Sequence, residues 1–376
     1  MNTHEAFDSA YHLLKSLIAI PSRSREEAEA ADYLCAFMKD ISGQEVHRLH
    51  NNLWLVDPHY DASRPTLLLN AHLDTVKPVS SWTRDPFTPQ EEMIELPDGS
   101  WETRLYGLGS NDDGASLVTL LHVYLLLVSR PQTYNLIFLA SAEEEVSGKN
   151  GIECVLPLLP AIHTALVGEP TGMQPAVAEK GLVVLDGKAF GKAGHAARNE
   201  GINALYTAVE AISKIKDYQF EKVSETLGPI KATVTGIQAG TTHNVIPDSC
   251  TFMVDCRTTD AYSNEEVVAL LQKLTGAVES EVGADIPCLT LQPRSTRLQP
   301  SSISPDHPLL KRIIAAGREP FGSPTLSDQA LMRFPSIKMG PGQSSRSHTA
   351  DEYICTKEIE DAIRIYFEVL DGLSLK

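Results

Sequence analysis

The sequence predicts an α/β protein with a mixed, mostly parallel sheet, helices on its faces, and a separate α+β unit inserted midway. Three observations carry that expectation. Short apolar runs alternate with helical segments from the N-terminus to about Glu169, the rhythm of parallel strands joined by crossover helices. From about Ala176 the order becomes strand, helix, strand, strand, helix, strand, which is that of a ferredoxin-like unit. Towards the C-terminus the first rhythm resumes, so two separated stretches belong to one domain.

Taken in order, residues 6–18 carry apolar side chains at helical spacing. Ser24 with Glu27 forms a capping-box pattern that opens a second helix to about Lys39. Strand-like 52–56 follows, and then the apolar run 66–70, which delivers His72. After a loop rich in Pro, Asp and Trp, Asp112 precedes a long apolar helix over 114–129. The run 135–140 delivers Glu144 and Glu145, and 165–168 delivers Glu169. In open α/β sheets ligands bind at the carboxyl ends of the strands, where these residues fall.

In the middle, strands are expected at 182–190, 231–237, 250–257 and 287–292, with helices at 201–216 and 263–283. Gly, Pro and Ser cluster at 170–175 and 293–308, as at domain crossings. A helix at 309–316, a short strand at 336–339, a glycine-rich loop and a terminal helix at 357–373 close the chain. The expected division is a discontinuous domain, 1–174 with 293–376, and an insertion, 175–292.

Composition agrees with this frame. A chain of 376 residues exceeds one ordinary core, and 42% hydrophobic with 22% charged residues is globular. The N-terminus has no basic stretch leading into an apolar core, so no signal peptide is expected; no apolar run is long enough to span a membrane. Six cysteines without CxxC spacing, mostly in apolar surroundings, are expected to be buried reduced thiols of a cytoplasmic protein. A net charge of −17 argues against nucleic acid and anionic membranes as partners.

The chemistry lies in five clusters. In His72-Leu73-Asp74 the alternate positions share one face of an extended segment, so Asp74 can hold the His72 imidazole in the tautomer that binds a metal. A simple His–Asp salt bridge has the same spacing. Asp112-Asp113 serves equally as an acidic turn and helix cap or as a carboxylate bridging two cations. Glu143-Glu144-Glu145 directly follows a buried-type run, where like charges resist joint ionisation unless cations neutralise them. One glutamate can ligate while its neighbour acts as general base. Glu169 in Val-Gly-Glu-Pro-Thr and His348 in the late Gly-Pro-Gly segment are ambiguous alone. Five coincidences in one order, at strand and loop ends, point to two adjacent divalent metals and a hydrolase.

This order of His-x-Asp, glycine-flanked Asp, acid-Glu-Glu, Gly-Glu-Pro-Thr and Gly-Pro-Gly…Ser-His resembles the co-catalytic zinc metallohydrolases. That family comprises acetylornithine deacetylase, succinyl-diaminopimelate desuccinylase, aminoacylase and bacterial carboxypeptidases. The resemblance covers essentially the whole chain and implies a zinc-peptidase-like domain with an inserted lid or dimerisation domain. It implies that His72 and Glu169 bind one metal, Glu145 and His348 the other, and that Asp112 bridges. Glu144 would be the general acid/base and Asp74 the residue orienting His72. The metals would be zinc first, with cobalt or manganese as alternatives.

The insertion matches too. Gly191-Lys192-Ala193-Gly194-His195-Ala196-Ala197 is similar to the family segment whose histidine reaches the substrate carbonyl, from the partner subunit in dimeric relatives. Asn244 in Asn-Val-Ile-Pro and Arg257 in Asp-Cys-Arg resemble positions that hold substrate polar and carboxylate groups; a turn and an Asp255 salt bridge are the plain alternatives. Two departures occur: Asp113-Gly114-Ala115 replaces the Asp-Met-Lys-Gly common after the bridging Asp, and Glu143 replaces a commoner Asp. Neither removes a ligand.

The resemblance therefore implies amide hydrolysis of an N-acyl amino acid by a homodimer joined through the insertion. Arg257, Lys180 and Arg346 are candidates for the substrate carboxylate, and His195 for the developing oxyanion. The 340–352 segment and compact length look most like the acetylornithine, acetylcitrulline and acyl-lysine deacylase branch, with a role in arginine-type biosynthesis. An N-succinyl desuccinylase, or a dipeptidase or carboxypeptidase, is the nearer alternative. A non-catalytic metal-binding scaffold is the distant one, disfavoured by the spare base Glu144.

Overall fold

The structure is a computed structural model that describes residues 1–198, 200–278 and 288–375. It divides into two compact units, 1–177 with 302–321 and 327–376, and 178–301 with 322–326. The second crossing falls after Ser301 because the stretch behind the last inserted strand stays hydrogen-bonded within the second unit. There Arg294 N donates to Val184 O (2.9 Å), and Asn264 Nδ2 donates to Leu298 O (2.7 Å).

The first unit opens with α1 (Thr3–Ile18), capped by Asn2 and Glu5, and α2 (Ala28–Ser42). The expected Ser24–Glu27 capping box does not form. Glu27 is itself the N-cap residue but its side chain makes no capping bond to the helix; the Ser24 hydroxyl donates to Asp74 (2.7 Å), and the Glu27 carboxylate accepts from Arg25 N and Asn51. Long-range partners outcompete the local pattern.

Then come β1 (His47–Leu49), β2 (Asn52–Val56), β3 (Thr66–His72), β4 (Gln90–Glu95), β5 (Trp101–Tyr106), α3 (Ala115–Val128), β6 (Asn135–Ser141), α4 (Ile152–Val155), β7 (Thr164–Val167) and β8 (Ala176–Glu179). The hairpin β4–β5 occupies what reads as loop in the sequence. Its strands, Gln-Glu-Glu-Met-Ile-Glu and Trp-Glu-Thr-Arg-Leu-Tyr, are rich in polar residues and mostly half-buried or exposed, so no apolar run announces them.

The second unit holds β9 (Gly181–Phe190), β10 (Gly194–His195), α5 (Ala204–Asp217), β11 (Lys231–Ala239), β12 (Val245–Ile246), β13 (Ser249–Thr258), α6 (Asn264–Gly276) and β14 (Leu289–Pro293). Residues 279–283 of the expected second helix, and Pro287 of the expected last strand, lie outside the described residues. The chain closes with β15 (Ser301–Ser302), α7 (Pro308–Ala315), β16 (Phe321–Ser323), β17 (Ser336–Lys338), β18 (Tyr353–Cys355) and α8 (Thr356–Leu370).

The main sheet runs β1-β2-β6-β3-β7-β17-β8-β15, with β16 beside β8. Strands β6, β3, β7 and β17 are mutually parallel, while β2 is antiparallel to β6 and β8 antiparallel to β17. Period-two alternation divides its two faces. Leu67, Leu69, Leu136 and Phe138 pack with residues of α1, α3 and α8 in one core, and Leu68, Ile137 and Leu139 pack with residues of α4 in another. Because both faces are covered, the parallel strands are apolar throughout and their polar residues gather at the ends.

The second unit's sheet has the order β11-β13-β9-β14, antiparallel throughout, with α5 and α6 contributing to its core. This is the ferredoxin-like arrangement. All six cysteines are free thiols, four of them buried. No helix among the described residues is long and apolar enough to cross a membrane.

One buried group gives the first unit an acid sensitivity. His122 of α3 is fully buried; its Nδ1–H donates to Val118 O (2.7 Å) and its Nε2 accepts from Ser9 Oγ (2.9 Å), an arrangement for neutral imidazole. Burial pushes its pKa down to about 4. The unfolded chain, with an ordinary histidine near 6.5, then binds more protons than the folded one, so stability present above 6.5 is lost as pH falls towards 4. Between pH 7 and 5 the loss should be about 2 kcal/mol. Denaturant unfolding of wild type and His122→Gln at both pH values should show that difference only in the wild type; equal slopes would refute it.

Candidate metal centre

Three parallel strands end along one edge of the main sheet, and their ends carry the candidate residues. His72 is the last residue of β3 and pairs in register with Ser141, the last of β6. Glu144 and Glu145 lie just beyond β6, and Glu169 lies two residues beyond β7. Gly168 before it packs so tightly that an added Cβ would lie 2.5 Å from Ser116 Cβ on α3. Asp112 comes from the turn that precedes α3, with the Asp112–Asp113 peptide cis. His348 arrives from the loop between β17 and β18.

These side chains converge. His72 Nε2 lies 3.2 Å from Asp112 Oδ1 and 3.9 Å from Glu144 Oε2. His348 Nε2 lies 3.0 Å from Glu145 Oε2 and 3.7 Å from Asp112 Oδ2. Thus the two oxygens of Asp112 face different imidazoles. Potential ligand atoms of His72, Glu144 and Glu169 lie within 4.8 Å of one another, and so do those of His72, Asp112 and Glu145.

The donor set fits divalent cations on a tautomer argument. His72 Nδ1 is 2.8 Å from the carbonyl oxygen of Asp74, which can only accept, so Nδ1 carries the proton. In a neutral ring Nε2 then presents its lone pair to the Asp112 carboxylate, two acceptors face to face. A cation is needed between them. Without a metal, a proton serves. Burial alone would push the His72 pKa down, but the Asp112 hydrogen bond and the charges of Glu144, Asp113 and Asp74 hold it well above the usual imidazole value. His348 is pushed up to about 9 by its hydrogen bond to Glu145. Burial, with neighbouring carboxylates, raises Glu144 and Glu169 well above the ordinary range. Bound cations would reverse that pressure.

The Asp74 carboxylate does not hold His72 in the way its spacing suggests. Its Oδ1 is 3.6 Å from Nδ1, and the backbone carbonyl makes the close contact. The carboxylate instead accepts from Glu144 N (3.0 Å), Glu145 N (3.2 Å) and Ser24 Oγ, so it fixes the peptide that carries both glutamates. Glu145 is committed to His348 through both oxygens, whereas the Glu144 carboxylate accepts no hydrogen bond among the described residues.

The candidates of the insertion lie in the second unit. His195 and Asn244 come together on the β10–β12 ribbon, where His195 pairs with Val245 and Ala196 N donates to Asn244 O (3.0 Å). His195 Nδ1 accepts from Ala197 N, which leaves a proton on Nε2 in the neutral ring. Arg257 is held by both oxygens of Asp255, and Lys180 Nζ donates to Pro229 O. In the first unit Arg346 is tied to Glu358 (2.6 Å) and stacks on Tyr353. All three cations have protein partners.

Sequence reasoning missed the part played by three buried carboxyl groups around the centre. Asp113 Oδ2 accepts from His72 N (3.2 Å), and burial raises its pKa to about 7. Asp328 accepts from Ser141 Oγ (2.5 Å), Asn70 Nδ2 donates to Ser141, and burial lifts Asp328 to about 6. Glu352 accepts from three backbone N–H groups of the Asp112 turn. Only Asp113, adjacent to Asp112, carried a signal in the sequence.

Comparison with known proteins finds relatives in both sequence and fold. A family model described as Peptidase family M28 matches residues 56–168, and one described as Peptidase dimerisation domain matches 177–282. The chain is 27% identical to succinyl-diaminopimelate desuccinylase of Corynebacterium glutamicum, covering 95% of both. It is 28% identical to acetylornithine deacetylase of Shigella sonnei, covering 95% of this chain and 96% of that one. The fold matches a Bacillus subtilis protein described as a dinuclear metal-binding peptidase of the M20 family, with a TM-score of 0.72, 16% identity and 98% of both chains covered. Over nearly its whole length the chain is therefore similar to acetylornithine deacetylase and succinyl-diaminopimelate desuccinylase, and it carries matches to a metallopeptidase model and a peptidase dimerisation domain.

Proposed function

We propose that this chain hydrolyses the amide bond of an N-acyl amino acid at a two-metal centre, with acetylornithine or acetylcitrulline as the first substrates to try. The observation that carries the two-metal reading is Asp112, one oxygen of which faces His72 and the other His348. His72 and Glu169 would hold one cation, Glu145 and His348 the other, and Asp112 would bridge. Zinc suits this N/O set, with cobalt or manganese as alternatives. Two bound cations would supply Lewis acidity to the scissile carbonyl and lower the pKa of the attacking water.

The chain's own residues do the rest. The Asp74 carbonyl holds His72 with Nε2 free for ligation, and the Asp74 carboxylate sets the Glu144–Glu145 peptide. Glu144, whose carboxylate oxygens accept no hydrogen bond among the described residues, takes the proton from the attacking water and returns it to the departing amine. His195, with its Nε2 proton, donates to the developing oxyanion. Asn244, Arg257, Lys180 and Arg346 remain the candidates for the rest of the substrate, and each cation would first have to share or leave its present partner.

The desuccinylase relative keeps an N-succinyl amino acid in view as a second reading, with a dipeptide as the third. A panel of N-acetylornithine, N-acetylcitrulline, N-succinylornithine and small dipeptides distinguishes them. No turnover of any acylated amino acid would sink the deacylase reading.

The match to a dimerisation domain supports a homodimer through the second unit. There β11 is a nine-residue edge strand, and Tyr206, Val209 and Ile237 are exposed. Long exposed edges of this kind are normally covered. Light scattering should give twice the 41.1 kDa chain mass; a monomer at working concentration would contradict this.

A further inference from the structure

We propose that Glu352 and Asn111 form a clasp that assembles the His348 half of the metal centre, acting as positioning residues for the second cation. This rests on the two-metal reading above. The starting point is an asymmetry. His72, Glu144, Glu145 and Glu169 follow β3, β6 and β7, whose register is fixed by ladder hydrogen bonds. His348 sits in irregular chain with a left-handed backbone (φ 58°), and its side chain is 55% exposed. Its ring is placed only as well as that loop is placed.

The loop is held by the turn that carries Asp112. Glu352 is 2% exposed, and its two carboxylate oxygens accept from Gly109 N (3.1 Å), Asn111 N (2.9 Å) and Asp112 N (2.8 Å). Its own carbonyl accepts from Gly107 N (3.0 Å). Asn111 answers from the other side: Oδ1 accepts from Gln343 N (2.9 Å) and Nδ2 donates to Gln343 O (3.1 Å), across 232 positions of sequence. The fit is close, since a Cβ on Gly342, at φ 81°, would lie 2.2 Å from Asn111 Oδ1.

These bonds make one body of two segments, one presenting Asp112 and the other His348. The separation between the bridging carboxylate and the second imidazole is thereby set before any cation arrives. Buried carboxyl oxygens are costly unless satisfied, and here bonds from three backbone N–H groups satisfy them while defining the turn. The first cation position depends less on the clasp, because His72 ends β3 and Glu169 lies only two residues beyond β7. The two positions should therefore respond differently to its loss.

Zinc titration of metal-stripped protein by calorimetry, with cobalt absorption as a spectroscopic readout, tests this on wild type, Glu352→Ala, Glu352→Gln and Asn111→Ala. Wild type should take up two equivalents. Glu352→Ala and Asn111→Ala should keep the first and weaken the second by about 10–100-fold, with an altered cobalt band for the second equivalent. Glu352→Gln, which retains one oxygen acceptor for Asn111 and Asp112, should recover most of that loss. Unchanged affinity for both equivalents in folded Glu352→Ala or Asn111→Ala, or equal weakening of both, overturns the clasp. So does a Glu352→Gln variant no better than Glu352→Ala. If Glu352→Ala fails to fold, Asn111→Ala and Glu352→Gln decide. Fewer than two equivalents in wild type would instead remove the two-metal reading, and the clasp with it.

Discussion

Glu144→Ala should bind two divalent ions per chain and lose about 10²–10⁴-fold in kcat, the usual contribution of a positioned general acid/base. The expectation rests on how the two adjacent glutamates are used. Both oxygens of Glu145 contact His348, and its backbone is fixed by Asp74, so it is committed within the centre. The Glu144 carboxylate, 3.9 Å from His72 Nε2, lies at the centre without a hydrogen-bonding partner of its own among the described residues. A base needs that freedom. Its position is also within coordinating reach of the cation that His72 and Glu169 would share. The two roles separate cleanly: loss of a base leaves metal content at two, whereas loss of a ligand lowers it. Retained hydrolysis in Glu144→Ala would refute the assignment as base.

Asp112→Ala should behave oppositely. It removes the carboxylate whose two oxygens face different imidazoles, so metal uptake should fall below two equivalents and activity should fall with it. The loss of affinity should exceed the roughly 10–100-fold typical of outer-shell changes. Stability gives an independent reading. A cation present at 100 times its dissociation constant stabilises the folded state by about 2.7 kcal/mol, so zinc should raise the melting temperature of stripped wild type by several degrees. The rise should shrink in Asp112→Ala. A variant that still takes up two zinc ions with the wild-type melting shift would contradict the bridging role.

How much of this was legible in the sequence depends on the range of the interaction. His72, Glu145 and Glu169 were legible because each follows an apolar run that had to be a buried strand, and parallel strands end along one edge. The inserted β-α-β-β-α-β unit was legible for the same reason, as its strands alternate and its helices are amphipathic. The hairpin β4–β5 was not, since a strand reading Gln-Glu-Glu-Met-Ile-Glu shows neither an apolar run nor period-two alternation. Nor was the Glu352 clasp, whose partners lie about 240 positions away and which belongs to no local pattern. Asp74 shows a finer limit. Its spacing from His72 was read correctly as proximity, yet the carbonyl rather than the carboxylate makes the contact, a distinction that only coordinates carry. The Ser24–Glu27 pattern failed because the Ser24 hydroxyl, which a capping box needs as acceptor for a helix N–H, is turned to donate to Asp74, 50 positions away.

The central claim is that this chain is a two-metal amide hydrolase. The most direct test measures metal content and hydrolysis of the acyl amino acid panel on one purified sample, before and after chelation. The expected result is two divalent ions per chain, turnover of at least one N-acyl amino acid, and recovery of activity when zinc is restored. One ion or none per active chain, or activity untouched by complete metal removal, would contradict it.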